Sequence, residues 1–212
     1  MSDYQSPGPA ALSYPSRGLR IMACHWPAPA DLPQFCSCGD LACPTPARHP
    51  IGTLTTDDLT EDLGQLSRWW LAHPAANAAT ITDERVGVIE LHHPAKPDSV
   101  IRALKEHQAD QASVIYADEG VLHLLVKPDP RLDHSVTETA SHASSDIDKV
   151  VIASPGSLIL LPPSRRMTGM RTRWLRRPYH VNRLPEAAHV LGVLAQLRKN
   201  GVLDELWPIL AP

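Results

Sequence analysis

Apolar and polar positions alternate along this chain in short blocks, and proline breaks them often. Pro9 to Arg17 is compatible with a short helix that Gly18 can end. Leu19 to Cys24 reads as a strand, and His25 to Pro50 follows neither a helical nor a strand period. Leu59, Leu63, Leu66, Trp69 and Trp70 recur at helical spacing, which predicts a core-facing helix capped by Thr56 or Asp57 and stopped at Pro74. Ala78–Thr82 and Val86–Leu91 read as two strands around a turn at Asp83–Arg85, followed by a helix from Asp98 or Ser99 to about His107. Ala112–Tyr116 and Val121–Val126 read as a hairpin around Asp118–Gly120. Strands at Val150–Ala153 and Leu158–Leu161 precede a last amphipathic helix over Glu186–Lys199. This mixed order predicts an α/β or α+β sheet with helices packed on it.

Composition narrows the picture. At 212 residues and 43% hydrophobic, the chain can build a core without disulfides. The division expected is a disordered stretch over 1–9, one domain over 10–200 and a tail over 201–212. Within the domain, a metal loop covers 36–50 and a mobile surface loop covers 127–148. No basic-then-apolar leader and no membrane-length apolar run stands in the sequence, so a cytoplasmic location and no membrane partner are expected. Net charge is −3, so any polyanion must be held by a local basic patch. One such patch is evident: Arg165 to Arg183 holds seven arginines and no acidic residue. A solvated basic face, or pairing with the acidic run Asp57–Asp62, is the alternative reading of these arginines.

Cys36, Cys38, Cys43 and His49 follow C-x-C-x4-C-x5-H. Three thiolates and an imidazole complete a tetrahedral zinc shell with no vacancy for water, which makes the expected zinc structural. The bland alternative is a loop of reduced thiols. Cys24, on a predicted strand, reads as a buried thiol. Trp69 and Trp70 read as core residues rather than as a stacking platform for bases.

Several strings together are similar to the N-terminal domain of bifunctional primase-polymerases, in the archaeo-eukaryotic primase superfamily. They are RGLRIMACH, CSCGDLACPTPARHP, TTDDLTEDLGQLSRWWLAHPAANAATIT, GVLHLLVK and SLILLPPSRRMTGMRTRWL, in order over roughly Ala10 to Leu197. The resemblance implies an RRM-like catalytic sheet joined to an N-terminal α/β unit. It also implies nucleotide polymerisation by a divalent metal pair on three acidic residues, with a histidine touching the incoming phosphates. His123 falls at that histidine. Ser164, Arg165, Arg166, Arg171 and Arg173 fall where a phosphate-receiving wall is expected, for a nucleoside triphosphate or DNA.

The acidic positions depart from the pattern. Asp-x-Asp stands here as Glu90-Leu91-His92, and the third acid falls near Val151. Magnesium prefers oxygen ligands in tight octahedral geometry, and a two-metal site needs bridging carboxylates. A histidine and a valine in place of two aspartates remove most of that grip. The expectation is therefore a catalytically degenerate primase-polymerase that binds nucleotide or nucleic acid as a binding or regulatory module. The runner-up is a polymerase of limited activity, with Mg2+ or Mn2+ at Glu90 and His92. Two further alternatives stand beside these: a transition metal held by Glu90, His92 and His123, and a scaffold protein that binds no nucleotide.

Overall fold

A computed structural model describes residues 7–28, 35–92, 97–109, 111–118, 120–131 and 150–199. The parts of the expected mobile loop from 132 to 148, the tail over 201–212 and residues 1–6 lie outside them. The chain is α+β and forms two compact units, one from 1–81 with 156–173 and the other from 82–155 with 174–212.

In the first unit, the expected N-terminal helix is two short pieces, α1 (Pro7–Ala11) and a 3-10 turn over Pro15–Arg17. Gly18 ends that turn at φ 73°, a left-handed geometry that favours glycine. The next helix begins later than the apolar spacing predicts. Thr55 and Asp58 form a capping box that closes only a 3-10 turn, Thr56–Asp58. Asp62 accepts from the Gln65 N–H and caps α2 (Leu63–Ala72). Leu66 and Trp70 face inward, and the Trp70 indole N–H donates to the Ala76 carbonyl at 3.0 Å. Trp69 packs half-buried beside Leu59 against a core of Met22, Cys24, Ala79 and Leu160.

The strands of this unit are β1 (Met22–Cys24), β2 (Asn77–Ile81) and β7 (Leu158–Leu161). β2 lies centrally, antiparallel to both neighbours. β2 is buried on both faces over Asn77–Thr80, which is why its sequence shows no alternation.

The second unit holds a five-stranded sheet in the order β6-β3-β5-β4-β8. Its strands are β3 (Gly87–His92), β4 (Ser113–Asp118), β5 (Val121–Val126), β6 (Val150–Ile152) and β8 (Arg173–Arg176). β3 pairs antiparallel with β5 and β6, and β4 with β5. The expected β4–β5 hairpin forms. β2 and β3 do not pair as a hairpin, because they belong to different sheets; the same holds for β6 and β7.

Helices α3 (Pro97–Glu106) and α4 (Ala187–Lys199) pack Val100, Leu104, Val190 and Leu194 against Ile89, Leu91, Leu122 and Leu124. Burying each such side chain contributes roughly 2 kcal/mol. Side chains alternate along a strand, so Glu90, His92 and His123 fall on the face opposite that core.

Candidate functional site

The first constellation is the cysteine-histidine loop of the first unit. The ligating atoms of Cys36, Cys38, Cys43 and His49 lie within 4.8 Å of one another. His49 Nε2 stands 3.4 Å from the sulfurs of both Cys36 and Cys43. A tetrahedral ion with bonds of about 2.3 Å to sulfur and about 2.0 Å to nitrogen has S···N edges of about 3.5 Å, so the donor set fits a metal ion in both type and spacing.

The loop is shaped around these atoms. Gly39 takes φ 80°, and the Ala47 N–H points at the Cys36 sulfur at 3.2 Å. A backbone hydrogen bond from Asp40 is the largest influence on Cys38 and lowers its pKa. Burial, followed by weaker effects of the neighbouring thiols, pushes Cys43 up to about 11. A bound cation would stabilise all three thiolates. His25 supports the loop from just beyond the end of β1: its ring lies 4.4 Å from that of His49, and its Nδ1 is 2.9 Å from the Ser37 hydroxyl. Desolvation, then the neighbouring His49 and His73, hold His25 below the usual histidine range. Cys24 stays apart, fully buried, with burial pushing its thiol up to about 12.

Asn77, missed by sequence reasoning, ties this loop to the arginine segment. Its amide Nδ2 donates to the carbonyls of His25 (3.2 Å), Ala47 (3.1 Å) and Arg165 (2.8 Å), and its Oδ1 accepts from the Arg165 N–H (2.7 Å). Two N–H groups thus serve three carbonyls, with one shared. No local pattern could reveal this, because the partners lie 52, 30 and 88 residues away in sequence.

Ser164 is fully buried and works inward. Its hydroxyl donates to the Ala78 carbonyl at 2.9 Å and accepts from the Ala78 N–H at 3.0 Å. It therefore ties the chain beyond β7 to the backbone of β2 and anchors the segment that follows. That segment is a tight hairpin in which Arg165 bridges Arg171, the Arg166 N–H donates to Met170, and Gly169 turns at φ 82°. Arg165, Arg166, Arg171 and Arg173 belong to this first unit.

The second constellation lies on the second unit. Glu90 is directly opposite His123 on β5, and directly opposite Val151 on β6. His92 follows two residues along on the same face. Glu90 Oε1 is 3.5 Å from His123 Nε2, and Glu90 Oε2 is 3.4 Å from His92 Nε2. One carboxylate is thus flanked by two imidazoles, with no acid on the β6 position beside it. His123 is nearly buried, while Glu90 and His92 remain partly open to solvent.

An α+β protein with a Cys3His loop, an arginine hairpin and a carboxylate-imidazole cluster on the sheet face opposite the α3–α4 core is the class defined by these features. The family model "Bifunctional DNA primase/polymerase, N-terminal" matches residues 11–187, and the chain belongs to that family. No curated protein sequence matches it. Among the described residues, no helix is long and apolar enough to cross a membrane.

Proposed function

We propose that this chain is a nucleotide- or nucleic-acid-binding member of the primase-polymerase family whose metal-dependent catalysis is degenerate. The observation that carries this reading is the register of three adjacent strands, with Val151 and His123 flanking Glu90. If the family's acidic positions are those of Glu90, His92 and Val151, only one carboxylate remains, and it is already engaged by two imidazoles. Such a cluster is a poor host for a magnesium pair, which needs several oxygen ligands. In this reading Arg165, Arg166, Arg171 and Arg173 attract phosphates through charge-assisted hydrogen bonds, which need no metal. Ser164 and Asn77 position the backbone of that hairpin.

The metal of the Cys3His loop is zinc in this proposal, and its role is structural, because all four ligands come from the protein. A reducing cytoplasmic setting suits free thiols as ligands. The test pairs binding with turnover. Saturable binding of a nucleoside triphosphate or an oligonucleotide, without primer extension in magnesium, is expected. Nucleotide addition in manganese that Glu90→Ala abolishes would favour the second reading, a polymerase of limited activity, for which the nearness of Glu90 to His92 speaks.

A further inference from the structure

The arginine run of the sequence is divided between the two units, and its second part builds a separate feature. Arg176 ends β8, and Arg177, Tyr179, His180 and Arg183 follow in the same unit. With Gln111 they line a cavity of about 260 Å³. Among the described residues no carboxylate lines it, although the chain as a whole is net acidic. Three guanidinium groups in such a setting attract phosphate.

Two details point to more than a solvated basic face. Tyr179 is a large aromatic side chain left 75% exposed, and the Arg183 guanidinium sits 4.6 Å from its ring centroid. The cation steadies the ring from one side while most of it stays in water. His180 Nδ1 accepts from the Asn182 backbone N–H at 3.2 Å. That bond occupies Nδ1 and leaves Nε2 for a further contact beside the arginines.

We propose that Arg176, Arg177, Tyr179, His180 and Arg183 form a contact site for single-stranded nucleic acid. The arginines hold backbone phosphates and Tyr179 stacks on a base. This deepens the nucleic-acid arm of the function proposed above and rests on it. An exposed ring beside several phosphate donors matches the usual grip on a single strand, in which bases stack on aromatics and a basic groove follows the backbone. An acidic protein segment would not require the stacking ring, and a free nucleotide, which carries both a base and phosphates, is separated from a strand by the test below.

The test is fluorescence anisotropy of the full-length protein with labelled oligothymidylate of about 15 nucleotides, titrated at several salt concentrations. Tyr179→Ala is expected to weaken binding about 5- to 100-fold, and Tyr179→Phe to restore it. Arg177→Gln should lower the slope of log affinity against log salt by about 0.7 if it removes one phosphate contact. An abasic strand of the same length should bind wild type and Tyr179→Ala equally. Both residues are exposed, and thermal melts confirm that the variants fold. Binding of oligothymidylate that neither variant changes would overturn this site and leave the broader reading intact. If wild type binds a nucleoside triphosphate but no oligonucleotide at low salt, this inference falls while nucleotide binding stands. If it binds neither, both readings fail together.

Discussion

Replacing Asn77 by alanine removes one buried amide and, with it, four hydrogen bonds. Each such bond contributes about 1 kcal/mol net, and a buried partner left unsatisfied costs about 1–3 kcal/mol. The Ala47 carbonyl is buried, whereas His25 and Arg165 are half-buried and can recover some water. The sum is about 4 kcal/mol, a large part of the roughly 5–15 kcal/mol that holds a domain folded. Urea unfolding followed by tryptophan fluorescence reads this directly. With a slope of about 2 kcal/mol per molar urea, the midpoint should fall by about 2 M. Asn77→Asp is the sharper variant. It keeps the acceptor for the Arg165 N–H but turns lone pairs toward three carbonyls, so at neutral pH it should be no more stable than the alanine variant. A midpoint shift below about 0.5 M for Asn77→Ala, or a stable Asn77→Asp, would refute the claim that this amide joins the metal loop to the arginine hairpin.

Other outcomes follow from the same geometry. Purified protein should carry one zinc per chain by metal analysis, and Cys38→Ser should lower both metal content and folding yield. After chelation at pH 8, Cys38, part-exposed and with its pKa lowered, should react with iodoacetamide faster than Cys43, which is pushed up to about 11, while Cys24 does not react in the folded chain: its thiol is raised to about 12, so it stays protonated as well as buried. Peptide mass mapping distinguishes them. Leu124→Ala, in the middle of β5, should cost about 2–5 kcal/mol in urea unfolding, because Leu124 is fully buried.

The cysteine-histidine loop was legible because ligand chemistry depends on residue type and short spacing, and both lie on the page of the sequence. The pairing of Glu90 with His123 and Val151 rests on strand register, which the resemblance to the family could supply but periodicity could not. The start of α2 was misread because Thr55 with Asp58, and Asp62 with Gln65, offer the same capping chemistry a few residues apart. β8 went unseen because Arg-Trp-Leu-Arg is charged and half-exposed; as the last strand in its sheet it tolerates charge that a central strand would not. Asn77 and His25 stayed hidden for another reason, since their partners are brought close only by the tertiary fold.

The chain leaves the first unit after Ile81, returns at Gly156 and leaves again after Arg173. The sheet of the first unit is therefore finished only by β7, synthesised long after its neighbour β2. A ribosome that has just released residue 81 holds a sheet with one outer strand missing and an open edge awaiting Leu158–Leu161. Cutting the gene after residue 81 would separate β2 from β7, the strand that pairs with it over Ala78–Ile81.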